Sequence, residues 1–171
     1  MEDENDPPTD GELTSRAPTE ADLVVLCERL NELGAQYLII GGFAIIYAGY
    51  ARTTTDVDLL IAADLENEAK VFRALEILPD RAVLELKPGE VHEYTVVRVA
   101  DEITVDLMQS ASGIDFSAAR NEIIYREVQG VKIPFASAKL LWRMKKNTHR
   151  EKDVIDLLFL RQHYPEATRD A

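Results

Sequence analysis

The residues best placed to do chemistry are three aspartates. Asp56 and Asp58 stand two apart at the head of an apolar run, in TTTDVDLLI, and Asp106 stands in a second strand-like segment, ITVDLM. In a β-strand, residues i and i+2 point to one face. The pair therefore shares a face, with backbones roughly 7 Å apart at a rise near 3.3 Å per residue. Like charges held that close repel, by about 1 kcal/mol at 4 Å in water and about 4 kcal/mol at a partly shielded surface. Three carboxylates converging on strand ends are a standing cost unless a cation neutralises them, and Mg²⁺ prefers oxygen donors of this kind. Upstream, Gly41-Gly42 lies at a strand-to-helix junction, where backbone N–H groups can hold a phosphate. Metal-binding carboxylates beside a phosphate cradle point to phosphoryl or nucleotidyl transfer. Taken alone, Asp56 and Asp58 could also be the solvated start of a strand.

The elements that must position these residues can be read along the chain. Thr19 and Asp22 have capping-box spacing, and Leu23, Leu26, Leu30 and Leu33 recur at helical intervals up to Gly34. Tyr37–Ile40 reads as a short buried strand, followed by a helix from Gly41 to about Tyr50. Arg52–Thr55 is a polar link into a strand at Val57–Ala62, and Leu65–Leu78 is an amphipathic helix closed by Pro79. Strands are expected at Ala82–Leu86, Tyr94–Val99 and Ile103–Met108, the last two joined at Asp101-Glu102. Phe116–Asn121 reads as a helical turn. A hairpin follows at Ile123–Val128 and Val131–Phe135, around Gln129-Gly130. Ser137 caps a helix to about Lys146, and a last helix runs from Glu151 to about His163. The class is α+β, a mixed β-sheet flanked by helices and ending in short C-terminal helices.

At 171 residues with 46% hydrophobic content, the chain suits one domain with a real core. We expect residues 19–165 to form it and residues 1–18, acidic and proline-containing, to be a disordered tail. A formal net charge of −12 excludes broad attraction to nucleic acid or anionic membranes. No apolar stretch is long enough to span a bilayer, and no export signal is visible, so a soluble cytoplasmic protein is expected. Cys27 is the single cysteine, which excludes an internal disulfide or thiolate cluster, and it reads as a small buried residue. His92, His149 and His163 lack zinc-site spacing. Trp142 and Tyr50 read as packing residues. Arg143, Lys145, Lys146, His149, Arg150 and Lys152 form a dense basic cluster in an otherwise acidic chain. Such a run is commonly a solvated helix end, and here it is also a candidate phosphate site. Asp153 and Asp156 are expected to pair with Arg150 or Lys152, or to cap a helix.

The stretch Gly41 to Ile61 resembles the nucleotidyltransferase superfamily, the polymerase-beta-like fold. Its pattern is a glycine pair opening a helix (Gly41-Gly42), an acid-x-acid pair on the next strand (Asp56-Val57-Asp58), and a third acid on a later strand (Asp106). Arg52, Thr54 and Asp56 match an R-x-T-x-D-h-D arrangement of small bacterial members, similar to abortive-infection toxins. The segment VQGVKIPFASAKLLWRMKKNTHREKDVIDLLFL resembles their hairpin, a helix ending in Met144-Lys145, and a Lys152-Asp153 to Asp156-Leu157 motif. The resemblance spans about Tyr37 to Leu160. It implies catalytic and metal-binding roles for Asp56, Asp58 and Asp106, with two Mg²⁺ ions about 3.5–4 Å apart. It also implies contacts to an NTP such as ATP from Gly41, Gly42, Arg52, Thr54 and Lys145. Gly42 would let the triphosphate approach the backbone, Asp106 would accept the proton of the acceptor hydroxyl, and Lys145 would neutralise the β- and γ-phosphates. Whether Lys145 or Lys146 points inward stays open.

The function so implied is Mg²⁺-dependent transfer of a nucleoside monophosphate from an NTP to a hydroxyl acceptor, either an RNA 3′ end or a small molecule. A toxin–antitoxin setting follows from the same resemblance, with a cognate antitoxin or a homodimer as partner. The alternative is a catalytically inactive module of the same fold that binds a nucleotide or a partner protein.

Overall fold

The computed structural model describes residues 15–169. Helix α1 (Glu20–Glu32) begins on the expected capping box. The Thr19 backbone N–H donates to Asp22 Oδ2 at 2.7 Å, and the Asp22 N–H donates to Thr19 Oγ1 at 3.3 Å. Its apolar positions Leu23, Leu26, Cys27 and Leu30 are buried. Strand β1 (Tyr37–Ile40) is buried throughout and runs straight into α2 (Gly41–Tyr47). That helix ends earlier than its sequence suggests, because Ala48 and Gly49 turn the chain, Gly49 at φ 116°. The chain then enters β2 (Asp56–Ile61) and α3 (Leu65–Leu75), the latter capped by the Asp64 side chain.

Beyond α3 the structure departs from the expected strands. Ala82–Glu85 is a 3₁₀ turn, not a strand. Arg81 before it is left-handed (φ 49°), and the buried Asp101 carboxylate accepts from the N–H groups of Asp80 and Ala82 at 3.0 and 2.9 Å. A side chain that takes those two donors removes them from any strand ladder. Next comes α4 (Glu90–Glu93), a single turn after Gly89. The buried Glu68 accepts from Gly89 N–H at 2.6 Å and Val91 N–H at 3.1 Å, which delays the following strand. That strand, β3 (Val97–Ala100), pairs with β4 (Thr104–Met108). A two-residue hairpin, β5 (Ser110–Ala111) and β6 (Ile114–Asp115), leads to α5 (Phe116–Ala119). The closing elements are β7 (Ile123–Val128), β8 (Val131–Ala136), α6 (Ala138–Lys145) and α7 (Glu151–His163). Gln129 and Gly130, both at positive φ, form the tight turn that joins β7 to β8.

Six strands form one mixed sheet in the order β3-β4-β2-β1-β8-β7. The pair β2–β4 is parallel, with Asp58 opposite Asp106, and β1 is antiparallel to β2, with Ile40 opposite Asp58. The central strands bury Leu38, Ile39, Leu59, Leu60 and Val105 completely. Helix α1 packs on β8 and α3, whereas α2 packs on β1, β2 and α6, which in turn meets α7. The sheet and its helices thus form the α+β architecture read from the sequence.

Of the expected tail, residues 1–14 lie outside the described part. Ser15 and Arg16 are instead fastened to the domain. Ser15 Oγ donates to the Asp101 carbonyl at 2.7 Å, Arg16 N–H donates to the Glu102 carbonyl at 2.9 Å, and the Arg16 guanidinium pairs with Asp22 at 2.6 Å. Among the described residues, no helix is long and apolar enough to cross a membrane.

Candidate active site

The parallel register of β2 and β4 brings the three aspartates together. Asp56 and Asp58 alternate with the fully buried Val57, so both carboxylates lie on the same side of β2. Asp106 lies opposite Asp58 on β4. One carboxylate oxygen from each residue lies within 4.8 Å of the others. This crowding has an electrostatic signature. The Asp58 carboxyl is pushed up to about 6, first by burial and then by the charges of Asp106 and Asp56, with Lys152 and Lys145 pulling the other way. All the donors are hard oxygens, matching the preference of Mg²⁺, and the site would gain from added positive charge. The residues present therefore fit a divalent cation.

Gly41 is required by this geometry twice over. It adopts φ +70°, and a Cβ there would lie 1.9 Å from Asp58 Oδ2. Gly42 has a packing reason of its own. A Cβ on Gly42 would lie 2.4 Å from Thr54 Oγ1 and 2.9 Å from Arg52 Nη2. A side chain at this position would therefore collide with Thr54 and Arg52, while Gly42 itself lines the cleft. Thr54 Oγ1 donates to the Asp56 carbonyl at 3.1 Å and steadies the start of β2. Thr55 Oγ1 donates to Asp56 Oδ1.

The three aspartates, Gly41, Gly42 and Arg52 line a cleft of about 550 Å³ that also takes in Arg98, Lys145, Arg150 and Lys152, with Met108, Leu141 and Met144 forming apolar wall; Thr54, a candidate nucleotide contact in the sequence, is not among the residues lining it. The basic cluster of the sequence is therefore divided. Lys145, Arg150 and Lys152 reach the cleft. Arg143 pairs with Glu122 at 3.2 Å, and Lys146 lines a separate groove between α6 and α7 with Trp142 and Leu158.

Lys145 is the inward-facing member of the Lys145–Lys146 pair, only 7% exposed. Its Nζ lies 2.7 Å from Asp153 and 3.2 Å from Asp156, both 0% exposed. Asp153 also accepts from Thr148 and Arg150, at 2.6 and 2.7 Å. Burial works to raise the Asp153 carboxyl, but hydrogen bonds from Lys145 and Thr148 and the Lys145 charge bring it down to about 2. Asp153 thus pairs with Arg150 as expected, whereas Asp156 binds Arg52 Nη1 at 3.2 Å. Arg52 Nε is buried with no hydrogen-bond partner among the described residues. Tyr50 packs on Phe159 with ring centroids 5.0 Å apart, the packing role read from the sequence.

Sequence reasoning missed Arg98. It sits on β3 opposite Asp106, and its Nε and Nη2 donate to the two Asp106 oxygens at 2.9 and 3.0 Å. Nη2 also lies 3.7 Å from Asp56. Hydrogen bonding to Asp106 raises the Arg98 guanidinium further above its ordinary range. The signal was the hairpin. Counting outward from a three-residue turn at Asp101–Ile103 places Arg98 beside Asp106.

No protein-family model matches the chain, and no curated protein matches its sequence. Solved structures do match its shape. A candidate nucleotidyltransferase, TM1012 from Thermotoga maritima, superposes with a TM-score of 0.51 at 18% identity, over 84% of this chain and 91% of that one. The lincosamide antibiotic adenylyltransferase LnuA, bound to lincomycin, gives 0.55 at 16% identity, over 86% and 99%. The antibiotic-resistance factor ANT(2″)-Ia gives 0.53 at 14% identity, over 88% and 89%. These likenesses establish the fold: the chain is built as nucleotidyltransferases are.

Proposed function

We propose that this chain is a Mg²⁺-dependent nucleotidyltransferase that moves a nucleoside monophosphate from an NTP onto a hydroxyl acceptor and releases pyrophosphate. The observation that carries the reading is the meeting of three aspartate carboxylates within 4.8 Å of one another, in a cleft of a nucleotidyltransferase fold. Asp56, Asp58 and Asp106 hold the metal, which when bound supplies charge neutralisation for the reacting phosphate and the leaving pyrophosphate. Asp106 orients the acceptor hydroxyl and takes its proton. Gly41 keeps Asp58 in place by leaving it room.

Arg150 and Lys152 reach the cleft as exposed cations and meet the β- and γ-phosphates. Lys145 stands behind them. The two buried carboxylates fix its position and absorb part of its charge, so it acts on the triphosphate from a held geometry. Asp156 fixes Arg52 in the same way on the opposite side of the network. Preorganised cations of this type cost no rearrangement when charge develops on the leaving group.

The acceptor we favour is a hydroxylated small molecule. The chain carries a formal net charge of −12, which opposes a long polyanion, and the apolar wall at Met108, Leu141 and Met144 suits an organic body. Two structural neighbours named for antibiotics, LnuA and ANT(2″)-Ia, support the same choice. The test is pyrophosphate release from each of the four NTPs with Mg²⁺, over parallel panels of hydroxylated small molecules and short RNAs. Release with a small-molecule acceptor supports the reading. Release with RNA alone moves the acceptor to the RNA 3′ end, and no release in any combination refutes transferase activity.

A further inference from the structure

We propose that Arg98 is a partner-switching residue: it holds Asp106 and Asp56 until a divalent cation takes their carboxylates, and it then binds a phosphate of the incoming nucleotide. The inference rests on the reading of the cleft as a nucleotidyltransferase site.

Both oxygens of Asp106 accept from the fork of one guanidinium, at 2.9 and 3.0 Å. Bidentate pairs of this kind are the strong class of charge-assisted hydrogen bond. A cation shared by Asp56, Asp58 and Asp106 needs an oxygen from each. It would share an Asp106 oxygen with Arg98 and repel the guanidinium charge, and that repulsion drives the guanidinium from the carboxylate.

The displaced guanidinium cannot travel far. Its backbone is fixed in β3 between the buried Val97 and Val99, and it faces β4 at Asp106. It does have room to turn, because the side chain is 62% exposed and stands on the wall of the cleft. The fork that fits a carboxylate fits a phosphate equally well. A cation arriving with a triphosphate therefore brings Arg98 a replacement partner, whereas a bare cation brings none. Arg98 makes the acid cluster selective for the metal–nucleotide complex over the free metal.

This predicts effects of opposite sign, which a purely structural arginine would not produce. The experiment uses three proteins, the full chain as wild type, Arg98→Gln and Arg98→Lys, with Asp58→Asn as a metal-site control and Mn²⁺ as the metal probe followed by electron paramagnetic resonance. A non-hydrolysable NTP analogue is then titrated in saturating Mn²⁺ by calorimetry. Arg98→Gln should bind Mn²⁺ alone about tenfold more tightly, since a competing charge has gone. It should bind the analogue at least about tenfold more weakly, since a charged hydrogen bond has gone. Arg98→Lys, which keeps the charge without the fork, should fall between on both scales, and it carries the test if Arg98→Gln does not fold. Mn²⁺ affinity that stays level or falls, or analogue affinity that stays level or rises, overturns the switch. Mn²⁺ binding that Asp58→Asn removes but Arg98→Gln leaves unmoved keeps the metal site and rejects only the switch. Absence of Mn²⁺ binding in all three proteins rejects the metal site and the switch together.

Discussion

Replacing Asp58 with Asn should stabilise the folded protein when metal is chelated, by an amount that depends on pH. Asn keeps the shape that fits against Gly41 and removes one charge from the acid cluster. The Asp58 carboxyl is raised from 3.8 to about 6 by burial and by its acidic neighbours. The folded state therefore binds the Asp58 proton more tightly than the unfolded state does. Between those two values wild-type stability falls as pH rises, and above about 6 the whole penalty stands. The gap is worth about 3 kcal/mol. For a domain of this size, 1 kcal/mol moves the Tm by about 2–4 °C, so Asp58→Asn should melt about 6–12 °C above wild type at pH 7.5. Near pH 4 the two melts should nearly coincide, because the folded wild type already carries the proton. The assay is thermal unfolding by circular dichroism in EDTA, from pH 4 to pH 8. A variant that melts lower than wild type at pH 7.5, or a gain that does not change with pH, would refute the electrostatic account. Asp58 would then be a structural hydrogen-bonding residue.

Other substitutions probe neighbouring parts of the site. Gly41→Ala should cost more than the roughly 1–2 kcal/mol of a left-handed residue, because its Cβ would meet Asp58 Oδ2 at 1.9 Å. Adding Asp58→Gly should recover the excess and leave the backbone cost, a coupling that denaturant melts of the four proteins would show. Lys145→Ala leaves Asp153 and Asp156 buried without their shared cation and should cost about 3–5 kcal/mol at pH 7. The Asp153 carboxyl lies at about 2, below its ordinary range. Its contribution is therefore present above the ordinary carboxylate pKa and is lost as pH falls toward 2, so the Lys145→Ala deficit should shrink on acidification. A deficit of the same size at pH 3 and pH 7 in urea melts would contradict the buried network.

The acid triad was legible because it depends on short-range rules. The period of two in Asp56-Val57-Asp58 sets one face, and the apolar frame around Asp106 marks a second central strand. Helix α1 was legible for a similar reason, its capping box being local to Thr19 and Asp22. What was not legible depends on partners distant in sequence. The strand expected at Ala82 gave way to a 3₁₀ turn because Asp101, some twenty residues on, takes its N–H donors. Lys145 read as a free phosphate ligand because nothing local reveals that Asp153 and Asp156 close over it from the next helix. The glycine pair was recognised, but the packing reason for Gly42 lies in Thr54 and Arg52, which only the folded chain brings against it. Arg98 fell between these cases, since its partner is set by hairpin register and one residue of slip would turn it to the other face.

The central claim is that the Asp56–Asp58–Asp106 cleft transfers a nucleotide. The most direct measurement follows the nucleotide itself, using NTPs labelled at the α-phosphate, Mg²⁺ and a pool of hydroxylated acceptors, with wild type and Asp106→Asn side by side. The account predicts label on an acceptor whose mass rises by one nucleoside monophosphate residue with wild type, loss of that product with Asp106→Asn, and its loss again when EDTA is added. Label that stays wholly in NTP with wild-type protein, or transfer that survives in Asp106→Asn, would contradict it.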